Sequence, residues 1–194
     1  MSFLPENYET PQGAGSYMKF QQGDNKFRIL SKPIIGWLDW KDKVPHRFPM
    51  KSKPEKPLGD QAIKHFWAMI VFDYADQQVK ILEITQSTIQ KAIETLAKDE
   101  EWGNPAAYDI KVNKTGQDKQ TEYRVNPSPK KAVSDEIKKA AKDKPVNLEA
   151  LYRNADPFDI SNGEETELIF ASLPFWYGRA NGLPRSAGQS DKRT

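Results

Sequence analysis

The sequence predicts a mainly β protein with few helices, in which five short strands precede a C-terminal helical segment. Apolar and polar residues alternate at 25–30 and at 108–125, and the most apolar run of the chain, rich in aromatic and β-branched residues, occupies 65–74. Between the strands only one stretch, starting at Ser87, has helical spacing. The 194 residues, 37% of them hydrophobic, suffice for one modest core.

Composition excludes several classes of protein and of site. The chain has no cysteine, which excludes disulfides, thiolate zinc sites, iron–sulfur clusters and cysteine catalysis. No stretch approaches the ~18 consecutive apolar residues of a membrane-spanning helix. Residues 1–11 lack the basic and then apolar pattern of a secretory signal. We therefore expect a cytoplasmic protein that has no membrane partner.

The first strand follows an extended N-terminal arm at 1–16. Phe27 and Ile29 share one face of this strand, while Lys26 and Arg28 share the other, so Arg28 is expected to face outward. The extended chain continues over 33–40, where Pro33 and Gly36 indicate a bend or bulge.

A long basic loop is predicted at 41–64. Four prolines within this range forbid a helix and disfavour a central strand. A structureless loop of this length inside a small domain is usually functional or disordered.

Two strands and a helix come next. Residues 65–74 are predicted to form a strand buried on both faces, and 78–85 a returning strand. Ser87 and Gln90 have the spacing of a capping box, and Ile89, Ile93 and Leu96 follow on one helical face. Gly103 is expected to end this region in a left-handed conformation.

A hairpin completes the predicted set of five strands. Residues 108–114 and 121–125 alternate, with Tyr123 and Val125 inward and with Lys111 and Arg124 sharing the outward face. The turn between the two strands is predicted at 115–120.

The remaining residues, 128–177, are expected to form a helical and acidic or apolar appendage. Ser128 or Ser134 would cap a lysine-rich helix, an acidic stretch follows at 156–167, and 168–177 forms an exposed apolar stretch. Residues 178–194 are predicted to be a disordered tail.

This order of elements is that of the OB-fold, a five-stranded Greek-key barrel with one helix between strands 3 and 4. Such barrels bind nucleic acid on the face of strands 2 and 3, between the loops that join strands 1–2 and 4–5. Here those loops are 41–64 and 115–120, and they lie in the two basic blocks, 26–56 with net charge +6 and 108–131 with +3. The sequence therefore predicts a cationic groove, provided that the fold brings both loops together.

A family resemblance points the same way. The runs 23–30, 65–71, 79–84, 102–105 and 108–112 resemble the single-stranded DNA-binding proteins of tailed bacteriophages, over about residues 17–127. The resemblance implies an OB-fold nucleic-acid-binding domain at 17–127 that coats single-stranded DNA in replication, recombination or repair. It also implies a location in the host cytoplasm, self-association along DNA, and contact with replication or recombination proteins through the C-terminal region.

Two features depart from this family. Some members carry a zinc site, but this chain has only His46 and His65 besides its carboxylates, so we expect no metal. Many members end in an acidic tail that recruits partners. Here the sequence ends in 190–194 with two basic residues and one acidic residue, and the internal acidic stretch 156–167 is the candidate substitute.

Sequence-independent binding needs cations for phosphates and flat side chains for bases. The candidate cations are Arg28, Lys41, Lys43, Arg47, Lys51, Lys53, Lys56, Lys64, Lys111, Lys114, Lys119 and Arg124. The candidate stacking residues are Trp37, Trp40, Phe48 and Trp67. Trp37 and Trp40 are three residues apart on extended chain and therefore point to opposite faces, so one of them is expected in the core.

Enzymatic function is not expected. The sequence has neither a convergent pair of carboxylates nor a glycine-rich phosphate loop before a helix, and it implies no cofactor. A protein-interaction module and an RNA-binding protein remain the alternatives.

Overall fold

The computed structural model describes residues 15–171 and confirms a mainly β protein with few helices. Its eight strands are β1 (Tyr17–Met18), β2 (Gly23–Ile29), β3 (Ile34–Lys41), β4 (Val44–Pro49), β5 (Lys64–Asp73), β6 (Gln78–Ile84), β7 (Asp109–Thr115) and β8 (Glu122–Pro127). The two α-helices are α1 (Ser87–Lys98) and α2 (Asp135–Asp143). Five 3-10 turns lie at Met50–Ser52, Pro105–Ala107, Asp118–Gln120, Leu148–Arg153 and Ile169–Ala171.

The strands form one open mixed sheet in the order β1-β6-β5-β2-β7-β8, with β3 pairing to β4 and β5. β6 covers one edge of β5, whereas β2 and β3 share the other edge, with registers Ile29↔Val71 and Ile34↔Ala68. β1 pairs in parallel with β6, and the other ladders between named strands are antiparallel. The order of the strands before and after α1 therefore matches the sequence-based prediction, but β1, β4 and the break between β2 and β3 raise the number of strands to eight.

The two faces of the sheet carry two separate cores. Phe27, Met69 and Ile110 lie in the first core, which α1 covers with Ile89 and Ile93. The second core lies on the opposite face of β5 and β6. Its buried members from the sheet include Phe66, Ile70 and Ile81, and those from the C-terminal segment include Ile137, Leu148 and Leu151. The described part of the predicted appendage thus packs directly on the sheet.

The prediction of a structureless loop at 41–64 is wrong for residues 41–49, because β4 pairs with β3 in a hairpin. Asp42 and Lys43 have φ of 51° and 66°, which are the left-handed values that a two-residue type I′ turn needs. The prolines at 45 and 49 are tolerated because β4 is an edge strand, where a missing N–H does not interrupt a ladder.

The rest of this connection, residues 50–63, is held against β3. The backbone N–H of Leu58 donates to Asp39 Oδ2 at 2.7 Å, and a Cβ placed on Gly59 would lie 2.3 Å from the carbonyl oxygen of Trp40. Asp39 is fully buried, so its carboxylate is a fixed anchor for the segment.

The helix termini confirm one capping prediction and contradict another. The Ser134 hydroxyl accepts from the Ile137 N–H at the start of α2, as expected. The capping box at α1 is wrong, since no side chain caps this helix. Gln90 instead donates to the carbonyl oxygens of Ile84 at 2.8 Å and His65 at 3.3 Å, because it is buried against the ends of β5 and β6.

The apolar stretch 168–177 is not exposed where the structure describes it. Leu168 and Phe170 pack against the second core, and Ile169 packs against the first. The remainder of this stretch, the tail at 178–194 and residues 1–14 of the predicted arm lie outside the described residues. In the described part, none of the helices has the length and apolarity needed to cross a membrane.

Candidate nucleic-acid interface

The sequence-based prediction places the nucleic acid on the outer face of β5 and β6. This is the face that carries the second core, and the C-terminal segment covers it. Phe66, Ile70 and Ile81 point to this face and are 0–2% exposed. They lie beneath the C-terminal segment, whose Leu148 and Leu151 share the second core with them. The expectation of binding on this part of the face is therefore wrong, because the face is part of a hydrophobic core.

A different surface, formed by β3, β4 and residues 50–63, combines exposed apolar groups with free cations. We call it the hairpin surface. All of the exposed large aliphatic side chains within residues 15–171 belong to it, namely Ile35, Val44, Met50 and Leu58, at 36–48% exposure. Five of its lysines are exposed and have no ion pair among the described residues: Lys41, Lys43, Lys51, Lys53 and Lys56.

Trp37 lies at the centre of an aromatic row on one face of the hairpin surface. The strand register places Phe48 on one side of it and His65 on the other. The rings of Trp37 and His65 have centroids 5.4 Å apart, and the Trp37 Nε1–H donates to the Met50 carbonyl oxygen at 3.2 Å. Lys53 Nζ lies 4.2 Å from the Trp37 ring centroid, so one candidate cation sits on one candidate stacking residue.

Trp40 lies on the opposite face of β3 and packs against the second core. This contact answers the question that the spacing of the two tryptophans left open: Trp40 contacts a core, whereas Trp37 belongs to neither core cluster. Trp40 also lines a concavity of about 450 Å³. The other lining residues are Leu38, Lys43, Gln61, Lys64, Glu83 and Thr85.

Arg28 was expected to contact phosphate, and this prediction is wrong. It faces away from Phe27 as expected, but it is only 2% exposed. Its Nη1 lies 3.0 Å from Asp109 Oδ1, its Nε–H donates to the Ala106 carbonyl oxygen at 3.0 Å, and its Nη2 donates to the Lys131 carbonyl oxygen. The chain segments before β7 and after β8 fold over the guanidinium, and their carbonyl oxygens accept its hydrogen bonds.

Asp109 is the centre of this buried polar cluster. Lys26 Nζ lies 3.0 Å from its Oδ2, and the Tyr74 hydroxyl donates to its Oδ1 at 2.9 Å. Burial alone would raise the pKa of Asp109, but hydrogen bonds from Lys26, Tyr74 and Arg28 outweigh it and hold the pKa below its usual value. Burial, together with the Asp109 carboxylate, raises the pKa of Tyr74 to about 12.

Arg47 is also not free for phosphate. Its Nε lies 2.6 Å from Glu83 Oε2, and its side chain is only 9% exposed. The pair joins β4 to β6, so the predicted phosphate contact at Arg47 is replaced by a structural ion pair.

The second basic block is partly neutralised. Lys111 Nζ lies 3.3 Å from Asp24 Oδ2, and Lys114 Nζ donates to the Phe20 carbonyl oxygen at 3.3 Å. Arg124 is exposed and has no ion pair among the described residues, while the side chain of Lys119 lies outside them.

The turns of the two basic blocks lie at opposite ends of the edge of β5 that β2 and β3 share. Register Gly23↔Lys114 places the turn after β7 beside the start of β2, whereas the turn at 42–43 follows the end of β3. These strand pairings do not join the two turns, so the meeting of the two basic blocks around one groove stays a prediction.

Trp67 is half-buried and packs against the first core. It lies on the same face of β5 as the buried Met69, so its ring contributes to packing. Lys64, at the start of β5, is exposed and lies on the wall of the concavity beside Trp40.

Sequence reasoning missed Gln61, Glu83 and Thr85, which share the concavity with Trp40. They come from the 50–63 segment, from β6 and from the residue after β6. No local pattern marks them, because only the pairing of β3, β5 and β6 brings them together.

The described residues hold no group of three or more His, Asp or Glu side chains that could bind a metal ion. Comparisons with protein-family models, curated proteins and solved structures found no match to this chain.

Proposed function

We propose that the protein binds single-stranded DNA with little sequence preference, without catalysing a reaction, and that the hairpin surface carries this binding. One observation carries the proposal: β3, β4 and 50–63 combine unpaired lysines and half-buried aromatic rings with all of the exposed large aliphatic side chains of the described residues. Lysines neutralise phosphates, and aromatic rings stack on bases of any sequence.

We infer that the fold is a modified OB-fold. The strand pairing matches that of such a barrel if β2 and β3 together form its first strand. The ladders β2–β5 and β3–β5 then correspond to the pairing of strands 1 and 2, and β5–β6 to that of strands 2 and 3. The ladder β2–β7 corresponds to the pairing of strands 1 and 4, and β7–β8 to that of strands 4 and 5. The helix α1 also lies between the third and fourth strands of this set. On this assignment β4 is an insertion into the loop between strands 1 and 2, which is a loop that grips nucleic acid in OB-folds.

The covered outer face of β5 and β6 supports the hairpin surface as the binding region. A strand of DNA cannot stack on Phe66 or Phe72, because both belong to the second core. Trp37 and Phe48, by contrast, are half-buried neighbours that belong to neither core cluster. Each stacked base is worth about 1–3 kcal/mol, so two or three rings are enough to add substantially to the phosphate contacts.

The resemblance to phage single-stranded DNA-binding proteins supports a role in coating DNA during replication, recombination or repair. Contact with replication or recombination proteins through the C-terminal region, and self-association along DNA, belong to the same proposal. On this proposal the protein acts in the cytoplasm of an infected cell, where it binds free single-stranded DNA.

The test is a fluorescence titration with oligo-dT and with duplex DNA at several salt concentrations. We expect tighter binding to the single strand, with log K falling against log salt by about 0.7 per neutralised phosphate. Equal affinity for duplex, or affinity that does not depend on salt, contradicts the proposal. Competition between DNA and RNA oligomers of matched sequence decides between the two sugars, since the 2′-hydroxyl is the group that distinguishes them.

A charge-matched pair of variants locates the interface. The first replaces Lys41, Lys43, Lys51 and Lys56 by Gln, and the control replaces Lys91, Lys98, Lys139 and Lys142, which are exposed on α1 and α2. We expect the slope of log K against log salt to become shallower by about 3 in the first variant, because each lost phosphate contact removes about 0.7. The slope of the control should change little. Equal losses in both variants contradict the assignment to the hairpin surface.

A further inference from the structure

The concavity beside Trp40, here called the Trp40 pocket, is built from five parts of the chain. Leu38 and Trp40 come from β3, Lys43 from the hairpin turn, and Lys64 from the start of β5. Gln61, Glu83 and Thr85 complete the lining. Its volume of about 450 Å³ falls in the range of about 300–1,000 Å³ that small-molecule sites occupy.

Trp40 provides a fixed aromatic wall for this pocket. Its ring packs against the second core on one side, and the neighbouring Leu38 is only 2% exposed. The backbone N–H of Trp40 donates to the buried Asp39 Oδ1 at 2.8 Å. A ring held in this way needs little further ordering when a base stacks on it, so little of the stacking energy is lost.

Two cations flank the aromatic wall. Lys43 and Lys64 are exposed, and neither has an ion pair among the described residues. Both line the same concavity as Trp40, so a base stacked on Trp40 has its phosphates within reach of these flexible side chains. The pocket therefore has the charge and the flat apolar surface that one nucleotide of a single strand requires.

Glu83 gives the pocket an acceptor that can distinguish bases. Its Oε2 accepts from Arg47 Nε at 2.6 Å, and its side chain is 18% exposed. Its Oε1 has no hydrogen-bond partner among the described residues. A carboxylate accepts hydrogen bonds and donates none, so it pairs with the exocyclic amino group of cytosine. Thymine has a carbonyl oxygen at the same position and is disfavoured there.

We propose that the Trp40 pocket holds one base of the bound strand, stacked on Trp40, and that Glu83 makes it prefer cytosine to thymine. This inference rests on the proposed function, since it names a subsite for the same single strand where the hairpin surface meets β5 and β6. It adds a preference at one position to binding that is otherwise indifferent to sequence.

The first measurement compares oligo-dC and oligo-dT of equal length at one salt concentration and neutral pH. We expect wild-type protein to bind oligo-dC about tenfold more tightly, which is the effect of one hydrogen bond to a charged group. Equal and salt-dependent affinity for both oligomers overturns the pocket proposal and leaves the proposed function standing. Failure to bind either oligomer overturns both.

Two variants separate recognition from structure. Glu83→Gln and Arg47→Met both break the same ion pair, but only Glu83→Gln removes the carboxylate. We expect Glu83→Gln to reduce the preference for oligo-dC to less than about threefold, and Arg47→Met to keep most of it. Loss of the preference in both variants, or in neither, overturns the role of Glu83.

A second pair of variants tests the aromatic wall. Trp40→Ala is expected to weaken the binding of oligo-dC and oligo-dT by a similar factor of about ten, because stacking is tolerant of sequence, while Trp40→Phe keeps most of the affinity. Circular dichroism and thermal unfolding of each variant identify any that fail to fold, and if Trp40→Ala does, a folded Trp40→Leu variant, which also lacks the ring, replaces it. Wild-type affinity in a folded Trp40→Ala variant overturns the pocket.

Discussion

Arg47 and Glu83 form an ion pair between strands that are not neighbours. Arg47 Nε lies 2.6 Å from Glu83 Oε2, although β3 and β5 separate β4 from β6 in the sheet. The two side chains therefore span two intervening strands and fasten the hairpin surface to β6. The same contact holds Glu83 at the edge of the Trp40 pocket.

Replacing Arg47 by Met is expected to lower the free energy of unfolding by about 1–3 kcal/mol, because the largely buried Glu83 loses its charged partner. The matched control is Arg153→Met, which breaks an exposed pair with Glu164 and should cost about 0–1 kcal/mol. Urea denaturation followed by circular dichroism measures both. A similar, small loss in the two variants contradicts the structural role of the Arg47–Glu83 pair.

The buried cluster around Asp109 is expected to contribute more to stability. Asp109→Asn leaves the Arg28 guanidinium buried without its anion, which typically costs about 3–5 kcal/mol. Asp24→Asn, which removes an exposed partner of Lys111, is the control and should change the unfolding midpoint little.

The same cluster predicts a pH dependence with a definite sign. The pKa of Asp109 is lower in the folded protein than its ordinary value, so its contribution is complete above about pH 4 and is lost as pH falls through the folded pKa. Denaturation measured between neutral pH and about pH 2 should therefore show a smaller acid-induced loss in Asp109→Asn than in wild type. An unchanged acid profile contradicts this contribution.

Gly59→Ala is expected to weaken DNA binding with little loss of global stability. The new Cβ would lie 2.3 Å from the Trp40 carbonyl oxygen, so the 50–63 segment, with Lys51 and Lys56, must move away from β3. Gly15→Ala is the control, because its Cβ would lie 3.9 Å from the nearest atom, the Tyr17 carbonyl oxygen. Wild-type affinity for oligo-dT in Gly59→Ala contradicts a role for this segment.

Phe48 tests whether the aromatic row beside Trp37 stacks on bases. Phe48→Ala and Phe48→Leu both remove the ring, but Leu keeps most of the apolar volume. If stacking is the contribution, both variants lose about 1–3 kcal/mol of binding free energy to oligo-dT. If Phe48→Leu binds as wild type does, Phe48 acts through packing alone. Fluorescence titration and thermal unfolding of the two variants distinguish the cases.

Local patterns predicted most of the secondary structure. Alternation located β2, β7 and β8, and helical spacing located α1 and α2, because the side-chain periods of 2 and 3.6 residues are properties of the backbone. The Ser134 cap followed from the same local logic. The prolines of 44–49 misled the prediction, since the rule against proline in a strand is relaxed at a sheet edge and the sequence does not show which strand is an edge.

The sequence by itself determined the strand and helix periods, the absence of cysteine chemistry and the concentration of lysines and aromatic residues within 26–56. Only the tertiary structure decided which of those groups are free. Arg28 and Arg47 have the same charge as Lys41 and Lys43, but Asp109 and Glu83, which lie 81 and 36 residues away in sequence, meet the two arginines through strand pairing. Burial and ion pairing depend on contacts between distant segments, and local sequence patterns do not contain those contacts.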